Sequence, residues 1–210
     1  MSEREDDRRV VSALGEHGVY VSSIWDLVHT KQGYKEAIPV LIDMLSKVDD
    51  LGIKEGLVRA LTVKEAAPVA ALPLIKEFRQ LMGDQSPRAG SVRWAIANAL
   101  TVVAGKDSSN DVIELLKSPA SGRARQMLAL TLGRRLKDAR GIPILIDLLD
   151  EEDVVGHAVE ALGLLKAAEA QSHLLKLKRH PRTWVRKEVE KALKRIEGKP
   201  TPAHREPLVN

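Results

Sequence analysis

Apolar residues recur along this chain with the period of one helical face. A single arrangement appears five times: an apolar residue, usually a basic neighbour, a second apolar residue, a small residue and a closing leucine. It reads Ile53, Lys54, Leu57, Ala60, Leu61, then Val92, Arg93, Ile96, Ala99, Leu100, then Ala124, Arg125, Leu128, Thr131, Leu132. Val154, Val155, Ala158, Ala161, Leu162 is a weaker copy, and Val185, Arg186, Val189, Ala192, Leu193 is the last. Spacing of i, i+4, i+7, i+8 covers one side of an α-helix. The closing leucine returns after 39, 32, 30 and 31 residues, so the arrangement marks an internal repeat.

A further helix precedes each copy. Its opening reads Ile38, Pro39, Leu41, Ile42, then Leu72, Pro73, Ile75, then Ile142, Pro143, Leu145, Ile146. Proline is tolerated in a helix's first turn, where its missing N–H would be unpaired anyway. Asp111 and Gln171 replace it in the third and fifth copies, and a carboxylate there suits the positive end of the helix dipole. Turn residues at 49–52, 83–90, 118–122, 150–153 and 180–183 separate the helices. Gly133 and Gly163 follow two of the anchor leucines and read as C-terminal caps or close-packing sites. One more pair, roughly 4–14 and 19–30, fits ahead of Ile38.

The expected organisation is all-α, with one domain over 1–197: a capping pair in 1–34 and five repeats in 35–197. The stretch 198–210 is polar, carries three prolines, and is expected to be a disordered tail. A lone helix pair cannot bury its apolar face and stacking does so, which puts the anchor leucines in the core.

The clearest run is Asp138, Ala139, Arg140, Gly141, Ile142, Pro143, continuing through Leu145, Ile146, Leu148, Leu149, Asp150 to Ala161, Leu162, Gly163. With the Val-Arg starts Val92–Arg93 and Val185–Arg186, it resembles the HEAT repeat, in the short HEAT-like form of phycobilin lyases, over roughly 35–197. The resemblance implies a right-handed α-α superhelix, a HEAT-like solenoid of about six helix pairs. It implies no single activity, because HEAT-like proteins include scaffolds, lyases, hydroxylases and DNA-binding proteins. The recurring Trp, Gly and Tyr of tetratricopeptide units and the Thr-Pro-Leu-His of ankyrin units do not occur.

Composition narrows the chemistry. The chain is 44% hydrophobic but only 3% aromatic, so Leu, Val, Ile and Ala supply the apolar mass. It has no cysteine, which excludes disulfides and thiolate metal sites. No apolar run approaches the roughly 20 residues of a membrane span. Met1 through Arg9 is too charged for a signal peptide. A cytoplasmic location without membrane contact is expected. Residues 1–50 hold 6 basic and 10 acidic side chains, whereas 166–199 hold 11 and 4, so an acidic front meets a basic back.

The recurring basic position, Lys54, Arg93, Arg125 and Arg186, falls in the first turn of each second helix, and Val155 breaks the series. A cation there opposes the helix dipole and needs a compensating partner. One reading is a structural ladder to a carboxylate or carbonyl of a neighbouring repeat, as HEAT-like families commonly have. Asp50 and Glu151 suit such a ladder, but Ala89, Ser121 and Arg182 do not. The other reading leaves some of these cations for an anionic ligand.

Trp94 and Trp184 adjoin Arg93 and Arg186 near the starts of second helices, which in HEAT solenoids tend to line the concave face. Trp and Arg are enriched at binding hot spots, and Trp stacks on bases. The plainer reading is that each Trp fills a gap between repeats; Trp25, beside Ile24, Leu27 and Val28, reads as core. In the last helix Lys187, Lys191, Lys194 and Arg195 share one face, interleaved with Glu188, Glu190 and Glu197. That face either attracts phosphate backbones or an acidic protein, or is a solvated cap. The candidate binding residues are Arg93, Trp94, Arg125, Trp184, Arg186 and Lys187.

No catalytic residue, metal or cofactor is assigned. His157 with Glu160 and Glu169 with His173 have helical spacing but no repeated ligand set. The adjacent His-Glu pairs that hold iron in HEAT-repeat deoxyhypusine hydroxylases are absent, as are a Gly-rich phosphate loop, GxSxG and HExxH. The expected function is a non-enzymatic scaffold that binds a protein or peptide along the concave face. Nucleic-acid binding through basic residues 166–199 is the alternative. HEAT-like alkylpurine DNA glycosylases are its enzymatic version, and their catalytic Asp, Arg and Trp find no match here. A bilin lyase-like enzyme is the second alternative. The charge asymmetry suggests a monomer or a weak head-to-tail oligomer.

Overall fold

The computed structural model describes residues 3–198, and all regular structure among them is helical. The tail expected to be disordered lies, apart from Gly198, outside the described residues. Twelve α-helices follow in order. The first pair is α1 (Glu3–Glu16) and α2 (Ile24–His29), and the second is α3 (Ile38–Leu45) and α4 (Leu51–Ala60). Next come α5 (Ala67–Leu81) with α6 (Pro87–Val103), and α7 (Ser109–Lys117) with α8 (Arg125–Leu130). The last are α9 (Ile142–Asp147) with α10 (Val155–Leu165), and α11 (Gln171–Lys176) with α12 (Thr183–Ile196).

Local chemistry sets the helix starts. Ser23 and Asp26 form a capping box at α2. The Asp50 carboxylate accepts from the N–H groups of Gly52 at 2.8 Å and Ile53 at 3.0 Å, opening α4. Ser86 Oγ accepts from Ala89 N at 3.2 Å at α6. Pro39 and Pro143 sit in first turns as expected. Pro73 does not: α5 begins at Ala67 and runs through it. The missing N–H leaves the Val69 carbonyl without its helical donor, and Val69 is 53% exposed, so water can serve that end.

Packing follows the repeat. The helices of each pair touch, and the second helices contact one another in sequence, α2 with α4, then α6, α8, α10 and α12. All five anchor leucines are buried, Leu61, Leu100, Leu132 and Leu162 completely, and the apolar and small positions of every copy are buried with them. One continuous hydrophobic core runs from Val10 to Leu193. Trp25 packs against it from a half-buried position.

The glycines after the anchors are not caps. Helix ends instead use left-handed Lys137, with φ of 52°, and Lys166, with φ of 53°. Gly133 and Gly163 lie inside their helical turns, where the backbone of the next second helix comes close.

The acidic front is partly consumed by the fold. Asp6 is fully buried and accepts from Asp49 N at 2.9 Å and Asp50 N at 2.8 Å. Asp7 accepts from Ser23 Oγ at 3.2 Å and Ile24 N at 3.0 Å. Both carboxylates thus satisfy orphan donors at the starts of other helices. No helix among the described residues is long and apolar enough to cross a membrane.

Candidate functional site

The recurring cation finds its compensation mainly inside its own helix pair. In an antiparallel pair the first turn of the second helix lies beside the last turn of the first, whose dipole end is negative and whose carbonyls lack donors. Lys54 Nζ donates to Leu45 O at 3.0 Å, and Arg93 Nη1 to Leu81 O at 2.5 Å and Asp84 O at 2.6 Å. Arg186 Nη1 donates to His180 O at 2.7 Å and Pro181 O at 2.8 Å. Lys54 also pairs with Glu77 of α5, with both side chains buried.

Arg125 differs. Its guanidinium makes a two-pronged pair with Glu151, reaching the turn before α10. The carbonyl it would have served, Leu115 O, accepts from Ser121 Oγ at 2.6 Å instead.

The tryptophans join repeats. Trp94 Nε1 donates to Gln126 Oε1 at 3.2 Å, and Gln126 Nε2 donates to Asp153 O at 2.7 Å, linking α6, α8 and the turn before α10. Trp184 is 43% exposed and lies on Gly156, where a Cβ would stand 1.9 Å from its ring carbon Cη2. Its ring meets His157 edge-on, with centroids 5.6 Å apart and planes at 67°. Burial pushes the His157 imidazole pKa down, with the Glu160 carboxylate opposing. Lys187 is exposed.

The six candidate residues therefore do not form one cluster. Arg93 and Trp94 line a groove of about 670 Å³ between α4, α6 and the 119–124 segment. Arg125, Trp184 and Lys187 lie outside it, and Arg186 borders a separate cleft with Lys178 and Lys194.

Glu55, Arg59, Arg88 and Arg123 also line the α4–α6 groove. Glu55 accepts from Arg59 Nε at 2.9 Å and Nη2 at 2.7 Å. Ser86, Ser91 and Ser121 contribute hydroxyls, and each is already engaged locally. Asp84 lies beside this rim. The Ser86 N–H donates to its carboxylate and, with the Arg93 charge, holds its pKa below the usual range.

Arg88 and Arg123 stand apart from the other arginines. Nine arginines lie between residues 51 and 165. Arg59, Arg79, Arg125, Arg134 and Arg140 pair with carboxylates. Arg93 and Arg135 donate to main-chain carbonyls. Arg88 and Arg123 are exposed and have no partner among the described residues. The repeat pattern pointed past them because it tracked buried positions. Arg88 and Arg123 occupy exposed positions outside the buried set, which no motif singles out.

No protein-family model matches the chain. No curated protein matches it either. Among solved structures it is similar to the crystal structure of an engineered protein, with a TM-score of 0.58 and 21% identity over 92% of this chain and 97% of that one, a likeness that speaks for the fold alone.

Proposed function

We propose that the chain is a right-handed α-α superhelix of HEAT-like repeats that acts as a non-enzymatic binding module, taking an extended peptide of a partner protein in the groove over α4, α6 and the 119–124 segment. The observation that carries this reading is the groove itself. It combines the half-buried indole of Trp94 with Arg88 and Arg123, two arginines without protein partners. Aromatic and arginine side chains at the centre of a concavity are the usual anchors of protein recognition. The repeat register and the unbroken row of second helices support the superhelix. The indole N–H is already used by Gln126, so Trp94 offers its ring face to apolar partner groups.

Peptide phage display against the whole chain tests the proposal. Acidic sequences carrying an apolar residue should be enriched. Ser91→Trp, which fills the groove from an exposed position, should abolish their binding, and Leu72→Arg on the outer face should not. Failure of enrichment, or enriched peptides indifferent to Ser91→Trp, would overturn it. Labelled duplex DNA held at low salt and released by Ser91→Trp would move the assignment to nucleic acid.

A further inference from the structure

The groove's charge is out of balance in a way that names its ligand. Four arginines line it with one carboxylate, Glu55, which is already held by Arg59, and Asp84 at the rim faces Arg93, so Arg88 and Arg123 are the two left without an ion pair. Arg93 also lines it, 5% exposed, bound to two carbonyls with the Asp84 carboxylate close enough to feel its charge, and its Nε is buried without a hydrogen-bond partner. Arg88 crosses the start of α4: a Cβ on Gly52 would stand 2.6 Å from its Nη2. The neighbouring Asp50 carboxylate is committed to the N–H groups of Gly52 and Ile53 and makes no ion pair with Arg88. Arg123 enters from the 119–124 segment, where Gly122 takes φ of 54° just before it.

Two exposed arginines without ion-pair partners therefore border the groove that the buried Arg93 also lines. A carboxylate would neutralise only one of them. A phosphate monoester carries about −1.5 to −2 charges near neutral pH and offers three acceptor oxygens, enough for two forked donors. We infer that the groove recognises a phosphorylated serine or threonine of the partner peptide, its phosphate bridging Arg88 and Arg123 and the adjoining residue lying on Trp94. This inference rests on the peptide-binding reading and adds the chemistry of the ligand. No covalent step is involved.

Fluorescence anisotropy on the full chain tests it. The probes are three labelled peptide pools, degenerate around a fixed phosphoserine, serine or glutamate. The phosphoserine pool should bind on the order of tenfold more tightly than either other pool. Its binding should weaken as the pH falls through about 6, where the phosphate takes up a proton. Inorganic phosphate should compete. Arg88→Ala and Arg123→Ala should each erase the preference, while Arg79→Ala, at an arginine paired outside the groove, should keep it. Arg88 and Arg123 make no internal bond, so thermal melting of both variants should match the parent.

Equal binding of all three pools, lost on Ser91→Trp, would overturn the phosphate inference and leave the peptide-binding proposal standing. A phosphoserine preference that survives both arginine variants would overturn the inference as well. If no pool binds while Ser91→Trp-sensitive phage peptides do, the phosphate inference alone falls. If neither set binds, both readings fall.

Discussion

Gly163 of α10 rests on the backbone of Ala192 in α12: a Cβ on the glycine would stand 2.6 Å from the Ala192 Cα. Gly133 meets Ala161 in the same way at 2.7 Å, one repeat earlier. The equivalent positions in the first two copies are Thr62 and Thr101, whose hydroxyls donate to Val58 O and Asn98 O of their own helices. At Gly133 and Gly163 the main chain of the next second helix occupies the space a side chain would take.

Gly163→Ala and Gly133→Ala should each destabilise the protein. In an isolated helix the change from glycine to alanine gains roughly 0.5–1 kcal/mol. Here the added methyl meets main chain that cannot turn aside, and overpacking costs about 1–3 kcal/mol. Urea denaturation measures the difference. A rise in midpoint for either variant would mean that the two helices are free to part.

The Lys54–Glu77 pair joins α4 to α5 in a buried setting, with the Lys54 ammonium also held by Leu45 O. Removing one partner strands a buried charge, and Glu77→Leu should cost about 3–5 kcal/mol. Lys54→Met combined with Glu77→Leu should recover most of that loss, because an apolar pair needs no desolvation. Chemical denaturation of the two singles and the double completes the cycle, and simple additivity would contradict the assigned coupling.

Leu100 is completely buried at the closing position of the second copy. Leu100→Ala should cost about 2–5 kcal/mol, made up of lost transfer energy and an unfilled cavity. A loss near zero in guanidinium titrations would show that this position does not carry the stacking.

Asp138 opens the turn before α9. Its carboxylate accepts from the Arg140 side chain, which outweighs the opposing effect of burial and brings its pKa from 3.8 to about 2. The group is more acidic folded than unfolded, so its contribution is complete above 3.8 and fades as the pH drops toward 2. Melting temperature should therefore fall across that interval, and Asp138→Asn should flatten the slope there. An unchanged slope would mean that other carboxylates carry the acid response.

The spacing of apolar residues by itself determined that the chain is helical, where the five copies lie, and which side chains go inside. All of that follows from the 3.6-residue turn: residues four, seven and eight apart share a face wherever the helix sits. It did not determine where α5 begins, because Pro73 is tolerated mid-helix only when its orphaned carbonyl reaches water, a matter of which face the neighbours leave open. Nor did it determine the partner of each recurring cation. The carbonyls that receive Arg93 and Arg186 belong to main chain brought alongside by the antiparallel pairing, and no residue type announces them. For the same reason Arg93 stands out in the sequence and is internally satisfied at Nη1, whereas Arg88 and Arg123, which match no motif, are the arginines left open at the groove. Burial is periodic and local, so it is written along the chain; unmatched charge depends on which helices face each other, and only the packed molecule decides it.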